Sequence, residues 1–277
     1  MKILGVIRDD NYLEYLNEGL AGIILPLKDY SVDYFKYYNL LQIEGYKKST
    51  DKLCFVVINK MIFNNELDSL SKVLKELERI KVDGVFFYDL AILNLVRKNH
   101  LNLNLIFNQT HMVANSDTIN LYSSLGVKGA YLSNEITKKE ILKIRENTKS
   151  DLFILLLGRA VAAMSRRNLL TSYFANKNKE KKDTIIIKEP KSKQEFLVIE
   201  NKFGTSFFYN KILNLSNVYK SLDDSGINYG IIEQGNFKKC EYKELIRAFV
   251  NFDKEKIDKL AGHNRGFLYR ETIYKVK

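Results

Sequence analysis

Cysteine is almost absent. The 277 residues hold two, Cys54 and Cys240, far apart, with no CxxC pair and no histidine nearby. That spacing excludes a disulfide framework and a zinc or cluster site built from the chain's own thiolates, and it fits a reducing, cytoplasmic compartment. His100, His111 and His263 are as scattered, with no HExxH pair, so no metal site and no resident cofactor is expected. Two prolines and fourteen glycines are too few for long disordered or collagen-like stretches. No apolar run reaches the length of a transmembrane helix, so no membrane partner is expected. The opening MKILGVIRDD meets charge too early for a signal peptide and reads as a strand. GVIRDD also lacks the GxGxxG loop of a dinucleotide-binding fold, and no GxSxG elbow surrounds Ser165, which disfavours a serine hydrolase.

With 45% apolar residues the chain can bury a substantial core, and short apolar strands alternate with amphipathic helices almost from end to end. Strands are expected at 2–7, 21–27, 52–59, 84–90, 103–109, 129–134, 151–158 and 228–233. Helices are expected over 11–19, 32–48, 67–81, 92–98, 116–125, 137–149 and 242–260. Thr137-Lys-Lys-Glu140 is a capping box. DLFILLLG (151–158) is apolar throughout, as a strand buried on both faces should be. Eight strands, each followed by a helical or irregular segment, predict a (β/α)8 TIM-barrel-like α/β fold in one domain, 1–277; an open doubly wound sheet is the alternative. The alternation breaks only between 159 and 213. A helical run over 160–174 leads there into a basic, β-rich insertion, 175–213, after the seventh strand, with strand-like pieces at 184–189, 195–200 and 205–209.

The net charge of +11 is unevenly placed: residues 159–193 carry ten Lys or Arg against three Asp or Glu, and 254–277 seven against three. Loops after barrel strands lie on the catalytic face, so the basic insertion suggests a polyanionic partner such as RNA; a solvated lysine loop is the bland reading. Arg159, Arg166 and Arg167 follow the seventh strand in a chain with ten arginines and 34 lysines, and guanidinium forks bind phosphate or carboxylate. Asp89, Glu135 and Glu233 fall near strand ends, where carboxylates do acid–base work or merely cap helices and pair with lysines. Asn59, Gln109 and Thr110 also sit at strand ends and either orient a polar substrate or terminate strands. Arg265 is a ligand contact or a clamp folded back on the barrel.

Several strings resemble peptidase family U32, the collagenase-like proteases. YDLA (88–91) matches an SDLG-like string, Gln109-Thr110 with Asn115-Ser116 a TQ…NS string, and SNEIT (133–137) an arginine–glutamate pair before a helix. IEQGN (232–236) and HNRGF (263–267) match IEGR and FNRGF. The order and spacing are shared over almost the whole chain. The family's central signature runs roughly HGAMCVSYSGRCLLSNY, followed by a second cysteine pair; here the stretch reads LGRAVAAMSRRNLLTSYF (157–174), which puts Val161 and Asn168 at the two cysteine positions and Leu157 at the histidine. The resemblance therefore implies a divergent member lacking the thiolates of an iron–sulfur cluster. It implies a binding or partner subunit linked to tRNA or rRNA modification, paired with a cysteine-bearing paralogue as a heterodimer. Two alternatives remain: a peptidase (hydrolase), for which no nucleophile–base pair or metal site is recognisable, and a barrel that binds a small anionic metabolite. Whether the chain is an enzyme stays open.

Overall fold

The computed structural model describes residues 1–109 and 112–270. Its first half follows the alternation read from the sequence: β1 (Lys2–Val6), α1 (Tyr12–Asn17), β2 (Gly22–Pro26), α2 (Leu40–Ser49), β3 (Leu53–Ile58), α3 (Leu67–Ile80), β4 (Gly84–Phe87), α4 (Leu90–Lys98), β5 (Leu105–Phe107), α5 (Ser116–Ser124), β6 (Gly129–Tyr131), α6 (Lys138–Glu146) and β7 (Asp151–Gly158). An excursion follows: β8 (Val161–Ser165), α7 (Leu169–Asn176), β9 (Thr184–Lys188), β10 (Glu195–Asn201), β11 (Gly204–Tyr209), β12 (Leu213–Asn214) and α8 (Ser216–Asp224). The last parallel strand, β13 (Tyr229–Glu233), then leads to α9 (Lys239–Val250) and α10 (Lys254–Ala261).

β1 to β7 and β13 pair side by side in parallel and close on themselves, β13 lying between β7 and β1. The result is an eight-stranded TIM-barrel-like cylinder with helices outside, and a small antiparallel sheet, β8-β11-β10-β9, is inserted after its seventh strand. β7 is buried over seven of its eight residues because barrel and helices cover both faces, which is why it reads as an unbroken apolar run.

Local signals set the element ends. Thr137 accepts from Glu140 N while the Glu140 carboxylate accepts from Thr137 N at 2.7 Å, so the capping box forms. Lys81 ends α3 in the left-handed region at φ 60°. The α3 stripe of Leu70, Leu74 and Leu77 is fully buried, each side chain adding about 1.5–3 kcal/mol.

Three elements depart from the sequence expectation. The stretch over 32–48 turns helical only at Leu40, where Asn39 and Gln42 form a capping box; before it the chain runs irregularly through Asp33 at φ 68°. The helical run over 160–174 is instead β8 followed by α7. Ala162, Ala163 and Met164 favour helix locally, but pairing with β11 outweighs that preference. The single helix over 242–260 breaks at Phe252, φ 55°, and restarts where Asp253 accepts from Lys256 N at 3.0 Å. β12 and α8 have no counterpart in the periodicity reading.

The N-terminal half of the barrel interior is plugged by rings. Phe153 stacks on Tyr229 at 4.3 Å and meets Phe55 and Phe86 edge-on at 5.4 and 5.0 Å. The side chains that continue these strands at two-residue steps point into the opposite, C-terminal mouth.

Candidate functional site at the barrel mouth

The mouth is polar. Asn59 follows β3, Asn108 follows β5, Tyr131 ends β6, Asn134 lies just beyond it, Arg159 follows β7 and Glu233 ends β13. With Asp33 and Tyr34, from the irregular segment after β2, they line a cavity of about 40 Å³. A buried polar atom without a partner costs about 1–3 kcal/mol, and this cavity collects several. Asn108 Oδ1, Asn134 Oδ1 and both Nε and Nη1 of Arg159 are buried with no hydrogen-bond partner.

Glu233 and Arg159 are brought together by β7 and β13. Glu233 Oε2 accepts from the Arg159 backbone N–H at 3.2 Å. The approach requires glycine at 158, since a Cβ there would collide with that same carboxylate oxygen. Burial pushes the Glu233 carboxyl up to about 7, and the Arg159 hydrogen bond and charge offset this only in part. Burial likewise pulls the Arg159 guanidinium down from its usual value, with the Glu233 charge acting the other way. Asp33 is pushed up to about 6 by burial, opposed by its hydrogen bond with Ser206. Burial also raises Tyr34 and Tyr131 above the usual phenol range, Glu233 adding to both. A carboxyl near 7 beside an incompletely bonded guanidinium can exchange a proton near neutrality and hold an anion.

The inserted sheet sits over this mouth. Ser206 of β11 donates to Asp33, Tyr209 Oη donates to Glu135 Oε1 at 3.3 Å, and Arg166 Nη1 donates to the Met61 carbonyl at 3.2 Å. The sheet is thereby tied to the loops after β2, β3 and β6, and Val161 and Phe208 form part of the cavity wall. Gly204, at φ +128°, lets β11 start against β8, where a Cβ would collide with the Ser165 carbonyl. Arg159 also borders a wider cleft of about 730 Å³, whose other walls include Lys211, His263, Arg265 and Arg270.

The other residues singled out in the sequence fall into separate groups. Asp89 accepts from Ala91 N at 2.9 Å and from Ile62 N at 2.9 Å, capping α4 and holding the loop after β3. Gln109 donates to the Tyr88 carbonyl at 3.0 Å. Asn59 accepts from Val32 N at 2.8 Å and donates to Val32 O, yet still faces the mouth. Arg166 stacks on Phe63 at 4.1 Å, and Arg167 is exposed. Arg265 grips Asp258 with two bonds of 2.8 and 2.9 Å and donates to the Asn214 carbonyl at 2.5 Å, clamping the C-terminal segment to β12 and α10. Thr110 lies outside the described residues, as does His111.

The sequence does not single out Asp33, Tyr34, Asn108, Tyr131 or Asn134. Pleat parity carries the missing signal for Asn108: Ile106 and Asn108 share one face of β5, while Phe107 and Gln109 share the other, where Phe107 stacks on Tyr122 of α5 at 3.8 Å. Asp33, Tyr34 and Asn134 sit in irregular backbone, where no period exists.

Among the described residues no group of three or more His, Cys, Asp or Glu is arranged to hold a metal ion. Cys54 is buried in β3, its thiol pushed up to about 12 by burial, and Cys240 is exposed on α9. Neither lines the mouth. No helix among the described residues is long and apolar enough to cross a membrane.

The family model of peptidase family U32 matches residues 25–275. An uncharacterized protease of Methanocaldococcus jannaschii is 31% identical over 170 residues, 59% of this chain and 40% of that protein. The tRNA hydroxylation protein P of Haemophilus influenzae is 29% identical over 126 residues, 45% of this chain and 27% of that protein. The matched segments thus span less than half the length of either relative. In structure, the phosphoribosylanthranilate isomerase of Thermotoga maritima superposes with a TM-score of 0.51 at 11% identity, covering 92% of this chain and 98% of that one, which is a likeness of fold alone.

Proposed function

The chain belongs to peptidase family U32, and we propose that it serves as a cluster-less binding or partner subunit in tRNA or rRNA modification. One observation carries the reading. Where the family signature places two thiolates after the seventh strand, this chain has Val161 in β8 and Asn168 at the start of α7, and the same excursion exposes Arg166, Arg167, Lys177, Lys179 and Lys182. Valine offers no donor and an asparagine amide is no substitute for a thiolate, so the residues present do not fit an iron–sulfur cluster.

What the excursion offers is positive charge on a rigid support. α7 is held to the sheet by Glu200, which accepts from Leu170 N at 2.7 Å, from the Thr171 hydroxyl at 2.5 Å and from the Thr205 hydroxyl at 3.1 Å. Lysines at its C-terminal end can contact phosphates without sequence preference, which suits a subunit that holds RNA while a cysteine-bearing paralogue performs the chemistry. The name of the Haemophilus influenzae relative supports the link to tRNA.

The test is affinity purification of the full chain from its own cytoplasm, followed by RNA sequencing and mass spectrometry. The reading expects structured RNA or a longer, four-cysteine family member in stoichiometric amounts. Recovery of neither at low salt overturns it.

A further inference from the structure

The mouth cavity and the adjoining cleft have a chemistry of their own, independent of the exposed lysines. We propose that together they form a binding site for a small dicarboxylate, with one carboxylate held by Arg159 inside the mouth and the second in the basic cleft.

Three observations converge. First, Nε and Nη1 of Arg159 are buried and unpartnered, and each flanks Nη2 in one planar guanidinium, whose N–H pairs with Nη2 are matched to the two oxygens of a carboxylate. Second, the cavity measures about 40 Å³, and on the order of 10–15 Å³ of such space admits one water-sized group. That accommodates the three heavy atoms of a carboxylate head and little more. Third, Arg159 is shared between this cavity and the cleft of about 730 Å³, so a head group on Arg159 extends its chain outward past Lys211 and Arg270. Both are exposed, and neither is ion-paired among the described residues, whereas Arg265 and His263 in the same cleft are engaged by Asp258. Among the described residues no Asp or Glu lines the cleft.

The mouth also selects the head group. Asn108, 5% exposed, and Asn134 present unpartnered amide oxygens to the cavity. A donor on the carbon next to the carboxylate, a hydroxyl or an amine, would satisfy one of them. Glu233 stands opposite as a carboxyl that can carry a proton, which lets a second carboxylate approach without two full negative charges in contact.

The test uses the full chain at pH 6.5, with calorimetric titration and thermal melting against succinate, malate, acetate and inorganic phosphate. Succinate should bind and raise the melting temperature, malate more tightly still, and acetate weakly. Arg159→Gln should lower the affinity for every carboxylate by tenfold or more. Arg270→Gln, a change at an exposed residue that leaves the fold intact, should reduce succinate affinity several-fold and leave acetate unchanged. Failure of succinate and malate to bind the native chain overturns the proposal. So does binding that neither substitution weakens, or phosphate binding as tight as succinate with the same dependence on Arg159. RNA recovery does not depend on this outcome, because the lysines at issue there lie outside both cavities.

Discussion

The Arg159 backbone N–H donates to Glu233 Oε2 at 3.2 Å, while the Nε and Nη1 of the same arginine are buried without partners. One residue thus commits its main chain to the carboxyl and keeps part of its charged fork unused. The pair sits where β7 and β13 end side by side, Ile232 being in register with Leu157.

The raised Glu233 carboxyl fixes the sign of a pH effect. Its folded value, about 7, lies above the 4.5 of an unfolded carboxyl, so the folded state holds the proton more tightly. Stability contributed by the protonated form is complete below pH 4.5 and is lost as pH rises to about 7. Glu233→Gln should therefore stabilise the chain at pH 8, by up to roughly 3 kcal/mol at 1.36 kcal/mol per unit, with the gain vanishing near pH 5. Urea denaturation at the two pH values measures it.

Dicarboxylate binding should consume protons. A carboxylate on Arg159 faces Glu233, and Asp33, Tyr34, Tyr131 and Tyr242 also lie around that carboxyl. A new negative charge favours its protonated form. Affinity for succinate should fall as pH rises through 7, and titrations in two buffers of different ionisation enthalpy at pH 7 should report net proton uptake. In Glu233→Gln the uptake should shrink to the share that Asp33, itself pushed up to about 6 by burial, can supply.

Arg265 and Asp258 form a clamp with two-point geometry. Arg265→Ala leaves Asp258, 10% exposed, with Asn214, Ser216 and an exposed histidine as partners. The expected loss is about 2–4 kcal/mol in denaturant titration. Arg265→Lys should recover less than half, because an ammonium cannot reproduce the fork.

For RNA, replacing Lys177 and Lys179 with Gln should weaken binding to all sequences alike. The slope of log affinity against log salt should shrink by about 0.7 for each single-strand phosphate that is no longer neutralised. Filter binding at several salt concentrations reads the slope, and an unchanged slope would remove these lysines from the interface.

The two thiols should separate kinetically. Cys240 is exposed and Cys54 is buried with its thiol pushed up to about 12. Native protein should release one equivalent of chromophore rapidly with a disulfide reagent, and the second only in denaturant.

All eight barrel strands were legible because each is an apolar run set off by helical periodicity, and burial on both faces writes that run into the residues themselves. The ends of the carboxylate strands were legible too, so Glu233 and Arg159 could be named. What could not be read was parity. Asp89 and Gln109 fall on the outward side of their strands and hold backbone, while Asn108 and Glu233 fall inward. The stretch 32–39, read as the start of a helix, is irregular instead and delivers Asp33 and Tyr34 to the mouth.

The sequence alone thus determined the barrel's strand–helix alternation, three of the four inserted strands and the uneven charge, since periodicity and composition are local and each residue carries its share of the signal. Only the tertiary structure decided that Val161–Ser165 is a strand, that the inserted sheet lies across the mouth, and that Arg159 meets Glu233. Those depend on hydrogen bonds and contacts between segments tens of residues apart, such as Arg159 with Glu233 and Ser206 with Asp33. Such pairings outweigh local preference because a buried polar group must find its partner wherever the fold brings one.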